Sequence, residues 1–280
     1  MSVLEGALLG LVQGLAEFLP ISSSGHLLLG KLLLGIDTEA SAFKVLEILL
    51  HVGTLIPVLI VFWRDWIDMI CHPIRNHTLA LLFLASLPAL AAYVIFDMDV
   101  FDSGWFLGVS CLITAVLLLL TDVVSRHRRV ARQKVGWLNA LCMGLMQALG
   151  LLPGVSRSGS TISGGVFSGL ERKEAARFSF MMSAPAIAGS LLMEGKHALE
   201  EGLFSQLELV PTVVGVLVAA VSGYLAIRFM LRLITKVPLS WFALYMALLG
   251  LCFLLLQLAG SPLVPAFELP SLADLIKLSL

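Results

Sequence analysis

Long apolar segments recur along this chain, and most of its charged side chains fall in the short stretches between them. A helix of about 20 apolar residues covers the ~30 Å hydrocarbon core of a bilayer, whereas a membrane β-barrel needs strands that alternate apolar and polar positions. The pattern therefore predicts membrane-spanning α-helices. Six segments have the required length: residues 42–63, 78–96, 105–124, 175–193, 209–233 and 239–258.

Two other apolar stretches, residues 2–35 and 135–170, are interrupted near their middle by proline, serine and glycine. The apolar pieces on either side of each interruption are too short to cross a bilayer comfortably. Because proline also removes a helical hydrogen-bond donor, each stretch is predicted to be a re-entrant pair: a helix, a loop and a second helix that enter and leave the membrane by the same face.

The two interruptions resemble each other in sequence. The first reads QGLAEFLPISSSGH from Gln13 to His26, and the second reads QALGLLPGVSRSGST from Gln147 to Thr161. An offset of 134 residues (147 minus 13) also aligns three further pairs of identical residues: Ser22 with Ser156, Ser24 with Ser158 and Gly25 with Gly159. The sequence thus contains an internal repeat.

Each half of the chain has one re-entrant pair followed by three spans, in residues 1–124 and 135–260. Three crossings reverse the side of the membrane, so the second half starts on the opposite face and the repeat has inverted topology. The prediction is a single all-α integral membrane domain, residues 1–280, with six transmembrane helices and two re-entrant pairs whose loops meet near the bilayer midplane.

Composition agrees with a membrane protein. Of the 280 residues 59% are hydrophobic and 13% charged, and the mean hydropathy is +0.98; a soluble domain carries about a quarter charged residues. The net charge is −1, and no segment is basic enough to form a nucleic-acid-binding domain. No nucleic-acid partner is therefore expected.

Thirteen of the 18 Lys and Arg residues fall on one side of the predicted topology. They are Arg64, Arg75, Arg126, Arg128, Arg129, Arg132, Lys134, Arg172, Lys173, Arg177, Arg228, Arg232 and Lys236. The loops of the opposite side are acidic and include Asp97, Asp99, Asp102, Glu194, Glu200 and Glu201. Because cytoplasmic loops are enriched in Lys and Arg, the basic side is predicted to face the cytoplasm of an inner-membrane protein. Both termini and the first re-entrant loop then face the outer, periplasmic side.

Arg157 is predicted to lie at membrane depth, where an arginine costs at least ~2.5 kcal/mol on insertion scales and needs a partner or a function. Guanidinium groups bind phosphate oxygens through two hydrogen bonds, and Ser156, Ser158 and Thr161 add hydroxyls beside it. These residues are candidates for an anion-binding site. The alternatives are an ion pair between Arg157 and a buried acid, and helix capping by the serines.

The first loop carries groups suited to acid–base and nucleophilic chemistry. Gln13 and Glu17 are four residues apart and share a helix face. Glu17 is a candidate base and, with substrate phosphate oxygens, a candidate ligand for Mg²⁺ or Ca²⁺. The run Ser22–Ser24 supplies hydroxyls, and His26 can transfer a proton near pH 7 or serve only in packing. Glu47 and His51, again four residues apart in the first span, are expected to line the cavity behind these groups.

A nucleophile, a base and an anion clamp together favour phosphoryl transfer at a site within the membrane, because that reaction mainly needs positioning and charge neutralisation. Inverted repeats with opposed re-entrant loops are also transporter architecture. Transport or flipping of an anionic prenyl-phosphate lipid is therefore the second hypothesis. A transporter needs the anion clamp but no nucleophile with a base beside it.

The two motifs resemble those of the bacterial undecaprenyl-pyrophosphate phosphatases, or bacitracin-resistance proteins. The family's first motif, (E/Q)-x-x-x-E followed by L-P-x-S-S-[ST]-G-H, is matched by Gln13, Glu17, Pro20, Ser22, Ser23, Ser24, Gly25 and His26. Its second motif, P-G-x-S-R-S-G-x-T, is matched by Pro153, Gly154, Ser156, Arg157, Ser158, Gly159 and Thr161. The resemblance covers nearly the whole chain.

The resemblance implies hydrolysis of undecaprenyl pyrophosphate on the outer side of the cytoplasmic membrane, recycling of the lipid carrier for peptidoglycan, support by divalent cations and an often dimeric assembly. It also implies roles for the matched residues: Ser23 as nucleophile, Glu17 as base or metal-supporting carboxylate, His26 as acid–base partner, Arg157 with Ser156 and Thr161 as pyrophosphate clamp, and Gln13, Ser22, Ser24 and Ser158 as further substrate contacts. Two points stay open. Either Ser23 forms a covalent intermediate or a metal-bound water attacks directly, and any of the three adjacent serine hydroxyls can be the nucleophile.

Overall fold

A computed structural model describes residues 1–36, 41–73, 75–96, 100, 104–127, 131–206, 208–261 and 264. This part of the chain contains eleven α-helices and no β-strand. The helices are α1 (Val3–Phe18), α2 (Ser23–Leu34), α3 (Ser41–Val61), α4 (Trp63–Cys71), α5 (Thr78–Ile95), α6 (Leu107–His127), α7 (Trp137–Leu149), α8 (Arg157–Phe167), α9 (Arg172–Glu200), α10 (Leu209–Leu233) and α11 (Ser240–Leu258).

The fold combines helices long enough to cross a membrane with shorter ones. Five of those described, α5, α6, α9, α10 and α11, are long and apolar enough to cross a membrane, and α3 with α4 forms a sixth candidate span that is bent by 73°. By contrast, α1, α2, α7 and α8 have 16, 12, 13 and 11 residues, fewer than the ~20 that a crossing needs. The prediction of an all-α membrane protein with six spans and two pairs of short helices is confirmed.

Helix α1 runs parallel to α10 and ends halfway along it. The contacts pair Gly6 with Pro211, Gly10 with Gly215 and Gly14 with Ser222. A Cβ atom at any of these three α1 glycines would overlap α10, so glycine lets the two backbones approach closely, as is common between membrane helices. Phe18, the last residue of α1, lies against Gly223, whereas α10 continues to Leu233. The first re-entrant loop therefore lies at mid-depth.

Helix α7 begins at the opposite face. The carboxylate of Asp122, near the end of α6, accepts hydrogen bonds from Arg172 at the start of α9 and from the backbone N–H of Leu239, just before α11 (3.1 Å). That face is therefore where α6 and α10 end and where α9 begins. Helix α7 begins there too, because Nδ2 of Asn139 in its first turn donates to the carbonyl of Ser168, four residues before α9 (3.0 Å), whereas α1 begins beside the start of α10. Helix α7 packs on α5 through Gly144, which the 134-residue offset aligns with Gly10. The two short-helix pairs enter from opposite sides, as inverted topology requires.

Helix α4 lies where the sequence led us to expect only a loop. The chain leaves helical geometry at Phe62 (φ −103°, ψ 22°), and α4 then turns away from α3. It buries Met69 and exposes Ile67 and Ile70, a pattern typical of a helix at the membrane surface. Some residues used to predict the orientation lie outside the described part of the chain: Asp97, Asp99, Asp102, Arg128 and Arg129.

Candidate active site

The first re-entrant loop turns sharply between α1 and α2. Ser22 has a φ of +67°, and no other non-glycine residue in the described ranges has a positive φ. This backbone conformation is strained for a residue with a Cβ atom. The Ser22 hydroxyl caps α2 by accepting from the N–H of Gly25 (3.4 Å). The turn makes Ser23 the first residue of α2 and brings its side chain back to α1.

Glu17 is the centre of a polar cluster to which both loops contribute. It is 6% exposed, and its carboxylate accepts hydrogen bonds from the amide of Gln13 (3.1 Å), the hydroxyl of Ser23 (2.7 Å) and the guanidinium of Arg157. Nε2 of His51 lies 3.8 Å away. A buried carboxylate stays ionised only with partners of this kind, so the cluster holds a negative charge directly against a serine hydroxyl.

The second loop presents Arg157 from the opposite side. Ser156 caps α8 by accepting from the N–H of Gly159 (3.0 Å), and its own N–H donates to Oγ1 of Thr114 in α6 (3.0 Å). Arg157 is then the first residue of α8, and its side chain is 16% exposed. Guanidinium has five N–H donors, and the hydrogen bond to Glu17 uses one. Arg157 can therefore hold Glu17 and an anion together.

The second residue after the cap in each loop, Ser24 or Ser158, ties that loop to the other. The hydroxyl of Ser24 accepts from the backbone N–H of Gly154 (3.3 Å). In return, the hydroxyl of Ser158 donates to the backbone carbonyl of Leu19 (3.0 Å). These reciprocal hydrogen bonds fix the two loops in one relative position, which a site with residues from both loops requires.

The hydroxyls predicted to bind substrate in the second loop have other partners here. Ser156 caps a helix and Ser158 binds the first loop, while Thr161 donates to the carbonyl of Arg157 (2.8 Å) and lies 2.6 Å from Oγ of Ser179. Ser156, Ser158 and Thr161 are all at most 2% exposed. The capping alternative describes Ser156, and the ion-pair alternative describes Arg157. Of the predicted clamp, only Arg157 reaches the shared cluster.

His26 lies beside the cluster, and its contacts point away from Ser23. Nδ1 is 2.8 Å from the carbonyl of Ser22 and must donate to it; Nε2 is 2.5 Å from the hydroxyl of Tyr245 in α11, and the two rings stack at 5.6 Å. The carbonyl therefore selects the Nδ1–H tautomer. Tyr245 was not identified from the sequence, which gave no signal that an exposed tyrosine in the last span meets this loop.

Glu47 and His51 separate in the structure. His51 faces Glu17 with Nε2, while its Nδ1 donates to the backbone carbonyl of Glu47 (2.8 Å). The carboxylate of Glu47 instead pairs with Lys31 of α2 (3.4 Å). The prediction placed the two side chains together behind the site, but only His51 contacts its central carboxylate.

The residues present could supply part of a cation's coordination shell. The amide oxygen of Gln13 is buried and has no hydrogen-bond partner among the described residues; it belongs to the same cluster as the carboxylate of Glu17 and the hydroxyl of Ser23. Oxygen donors of these kinds suit Mg²⁺ or Ca²⁺. No group of three or more His, Cys, Asp or Glu residues in the described ranges could hold a metal, so the other ligands would have to come from substrate and water.

Comparison with known proteins adds to this geometry. Residues 6–252, which include both loops, match the family described as bacitracin resistance protein BacA. The undecaprenyl-diphosphatase of Halothermothrix orenii is 40% identical over 260 residues, or 91% of this chain and 98% of the relative. That of Carboxydothermus hydrogenoformans is 39% identical over 265 residues, covering 93% and 99%. That of Rubrobacter xylanophilus is 41% identical over 260 residues, covering 88% and 94%. With matches that span most of both chains, this protein belongs to the bacitracin resistance protein BacA family.

Proposed function

We propose that this protein hydrolyses undecaprenyl diphosphate to undecaprenyl phosphate and inorganic phosphate. The observation that carries the proposal is the arrangement of three side chains: the hydroxyl of Ser23 donates to the carboxylate of Glu17, which also binds the guanidinium of Arg157. A candidate nucleophile and a candidate phosphate-binding cation thus share one carboxylate, which is the candidate base. The relatives named undecaprenyl-diphosphatase support the choice of substrate.

We propose a reaction that uses these contacts. Oγ of Ser23 attacks the terminal phosphorus as its proton passes to Glu17, and the anhydride P–O bond breaks, leaving undecaprenyl phosphate and a phosphoserine. Water then cleaves the phosphoserine and releases inorganic phosphate, and the proton held by Glu17 returns to Ser23. Arg157 neutralises the charge on the transferring phosphoryl group, a contribution expected to be large in a dry site. Of the three adjacent serines, Ser23 has the hydroxyl bound to Glu17, which favours it as nucleophile.

A divalent cation is part of the proposal. It would lie among Gln13, Glu17 and the substrate phosphates, where it would supply further charge neutralisation. Exhaustive chelation of the purified protein should then lower phosphate release, and Mg²⁺ or Ca²⁺ should restore it. Unchanged rates after chelation would remove the cation from the mechanism.

We place the reaction at the outer side of the inner membrane. The support is the uneven charge of the loops, because the basic face is the expected cytoplasmic one and α1 and α2 enter from the other face. Hydrolysis there would recycle the lipid carrier for peptidoglycan synthesis and lower the amount of diphosphate lipid exposed outside the cell. The bacitracin resistance in the family's description fits such a role.

The direct test is phosphate release from undecaprenyl diphosphate by the purified protein in detergent with Mg²⁺ or Ca²⁺. Arg157→Ala is the control, with lipid binding measured in parallel. Release by the wild type and not by the variant is the expected result. Binding without release by the wild type would contradict hydrolysis and would support the transport of an anionic prenyl lipid.

A further inference from the structure

A second polar cleft lies on the basic face, away from the re-entrant loops. It has a volume of about 770 Å³ and opens between the ends of α3 and α10 and the start of α9. Four cationic and two aromatic side chains line it: Lys173, Arg228, Arg232, Lys236, Trp63 and Tyr224. Among the residues that the structure describes, no acidic side chain lines it, so the described lining is strongly positive.

These cations differ from three other basic residues of the same face, which are paired with acids. Arg126 and Arg172 both bind the carboxylate of Asp122, and Arg177 binds that of Asp65. Within the part of the chain that the structure describes, none of the four cations of the cleft forms an ion pair, and all four are exposed. Topology alone needs basic loops, but it does not need four unpaired charges gathered in one cleft.

The side chains around the cleft are of the kind that contact a lipid. Beside these cations, α3 exposes Ile56 and Ile60, the second of which lines the cleft, and α10 exposes Leu225 and Phe229. Ile56 and Leu225 lie about one helical turn deeper in the membrane than Ile60 and Arg228, so exposed apolar surface continues on both helices from the cleft towards the bilayer interior. Trp63 is 52% exposed at the rim, where interfacial tryptophans meet headgroups. Acyl chains would pack along this apolar surface, whereas a soluble anion would gain no binding energy from it.

We infer that this cleft binds the headgroup of an anionic phospholipid from the leaflet on the basic face. The phosphate would contact the guanidinium and ammonium groups, and the acyl chains would run along α3 and α10. Basic pockets between transmembrane helices recognise headgroups of this type. The site is separate from the cluster around Glu17 and does not depend on the hydrolysis proposed above.

The test measures the affinity of the purified protein for dioleoylphosphatidylglycerol by native mass spectrometry, with dioleoylphosphatidylcholine as the neutral lipid. The test variant is Arg232→Gln with Lys236→Gln. The matched control, Arg75→Gln with Lys134→Gln, neutralises two exposed basic residues of the same face outside the cleft. Each basic residue near an anionic lipid contributes roughly fivefold in affinity, so the test variant should bind phosphatidylglycerol about thirtyfold more weakly. The control and phosphatidylcholine binding should be unchanged.

A second variant, Lys173→Gln with Arg228→Gln, repeats the test with the other two charges if the first does not fold. Wild-type phosphate release by a variant demonstrates that it is folded. Equal affinity of the wild type and the cleft variants for phosphatidylglycerol would overturn the proposal. Displacement of the lipid by millimolar inorganic phosphate would also overturn it, because the cleft would then bind a free anion and not a lipid.

Discussion

The two re-entrant loops have the same scaffold but carry different chemistry. In each, a serine caps the second short helix and accepts from the N–H of a glycine three residues later: Ser22 with Gly25, and Ser156 with Gly159. The residue after the cap begins the helix and points at Glu17. In the first loop that residue is Ser23, and in the second it is Arg157. Equivalent positions thus supply the candidate nucleophile and the candidate phosphate clamp.

The surroundings of the two loops differ as well. In the second loop, Leu151 and Ser160 occupy the positions of Glu17 and His26. In the second loop, residues 150–153 and Arg157 are half-buried and Ser156 and Ser158 are buried, whereas in the first loop Ser24 is exposed and Ser23 is half-buried. The first loop is the more accessible one and carries the candidate reactive groups, and the second loop supports it. A two-fold scaffold therefore yields an asymmetric site because two opposed helix starts meet at a single carboxylate.

The largest effect on phosphate release is expected at Ser23, the residue after the cap of α2. Ser23→Ala removes the proposed nucleophile and should lower phosphate release at least about 10⁴-fold, since loss of a nucleophile costs up to ~10⁶ in a serine hydrolase. Ser24→Ala is the matched control. It loses one hydrogen bond to Gly154 and should cost less than about tenfold. Equal losses in steady-state release by the two variants would deny Ser23 its special role.

The equivalent position in the second loop, Arg157, should be the next most sensitive. Arg157→Lys keeps the charge but loses the planar fork that can hold Glu17 and a phosphate together. We expect kcat/KM for phosphate release to fall about 10²- to 10³-fold, the range for losing one well-placed donor. A lysine variant with near-normal kcat/KM would mean that charge alone is needed there.

A smaller effect separates the two residues predicted to lie behind the site. His51→Asn removes the imidazole beside Glu17, and we expect about tenfold slower phosphate release from one lost polar contact. Glu47→Gln removes the charge that pairs with the buried Lys31. This should lower stability, because a buried charge loses its partner, but it should leave the rate of the folded protein within about twofold, because the carboxylate of Glu47 is directed at Lys31 and not at Glu17. The reverse order of effects would contradict the arrangement described here.

The smallest effects are expected from removing the two helix caps, and they should be equal in the two loops. Ser22→Ala and Ser156→Ala each remove one helix cap, which costs about 1 kcal/mol of stability. Both should lower the midpoint of thermal unfolding by a few degrees and leave the protein able to turn over substrate. If Ser156→Ala abolished release without lowering that midpoint, its hydroxyl would be a substrate ligand instead of a cap.

Much of this architecture could be predicted from the sequence because its signals are local. The length of an apolar run sets whether a helix can cross the bilayer, and the interruptions around Pro20 and Pro153 mark the two loops. The closeness of Glu17 to the serine run also follows from a short stretch, although the choice among Ser22, Ser23 and Ser24 does not. The bend at Phe62 has no comparable signal, and the chain was expected to continue there as a loop.

Contacts between distant segments could not be predicted. Tyr245 meets His26 from 219 residues away, and no periodicity or spacing records that pairing. The partners of the serine hydroxyls were likewise undecidable, since Ser, Thr, Asp and Asn side chains serve as caps or ligands with equal ease. The sequence could identify Arg157 as unusual, but only the packing of the two loops selects Glu17 as its partner.

The central claim is that one site is formed by residues of both loops, and a double-mutant cycle tests it most directly. Phosphate release would be measured for Glu17→Gln, Arg157→Gln and the double variant, and compared with the wild type. Groups that act as a unit are strongly non-additive. We therefore expect the double variant to be slower than the slower single variant by no more than about threefold. Losses in kcat/KM that multiply across the two substitutions would mean that Glu17 and Arg157 act independently, and would contradict a shared site.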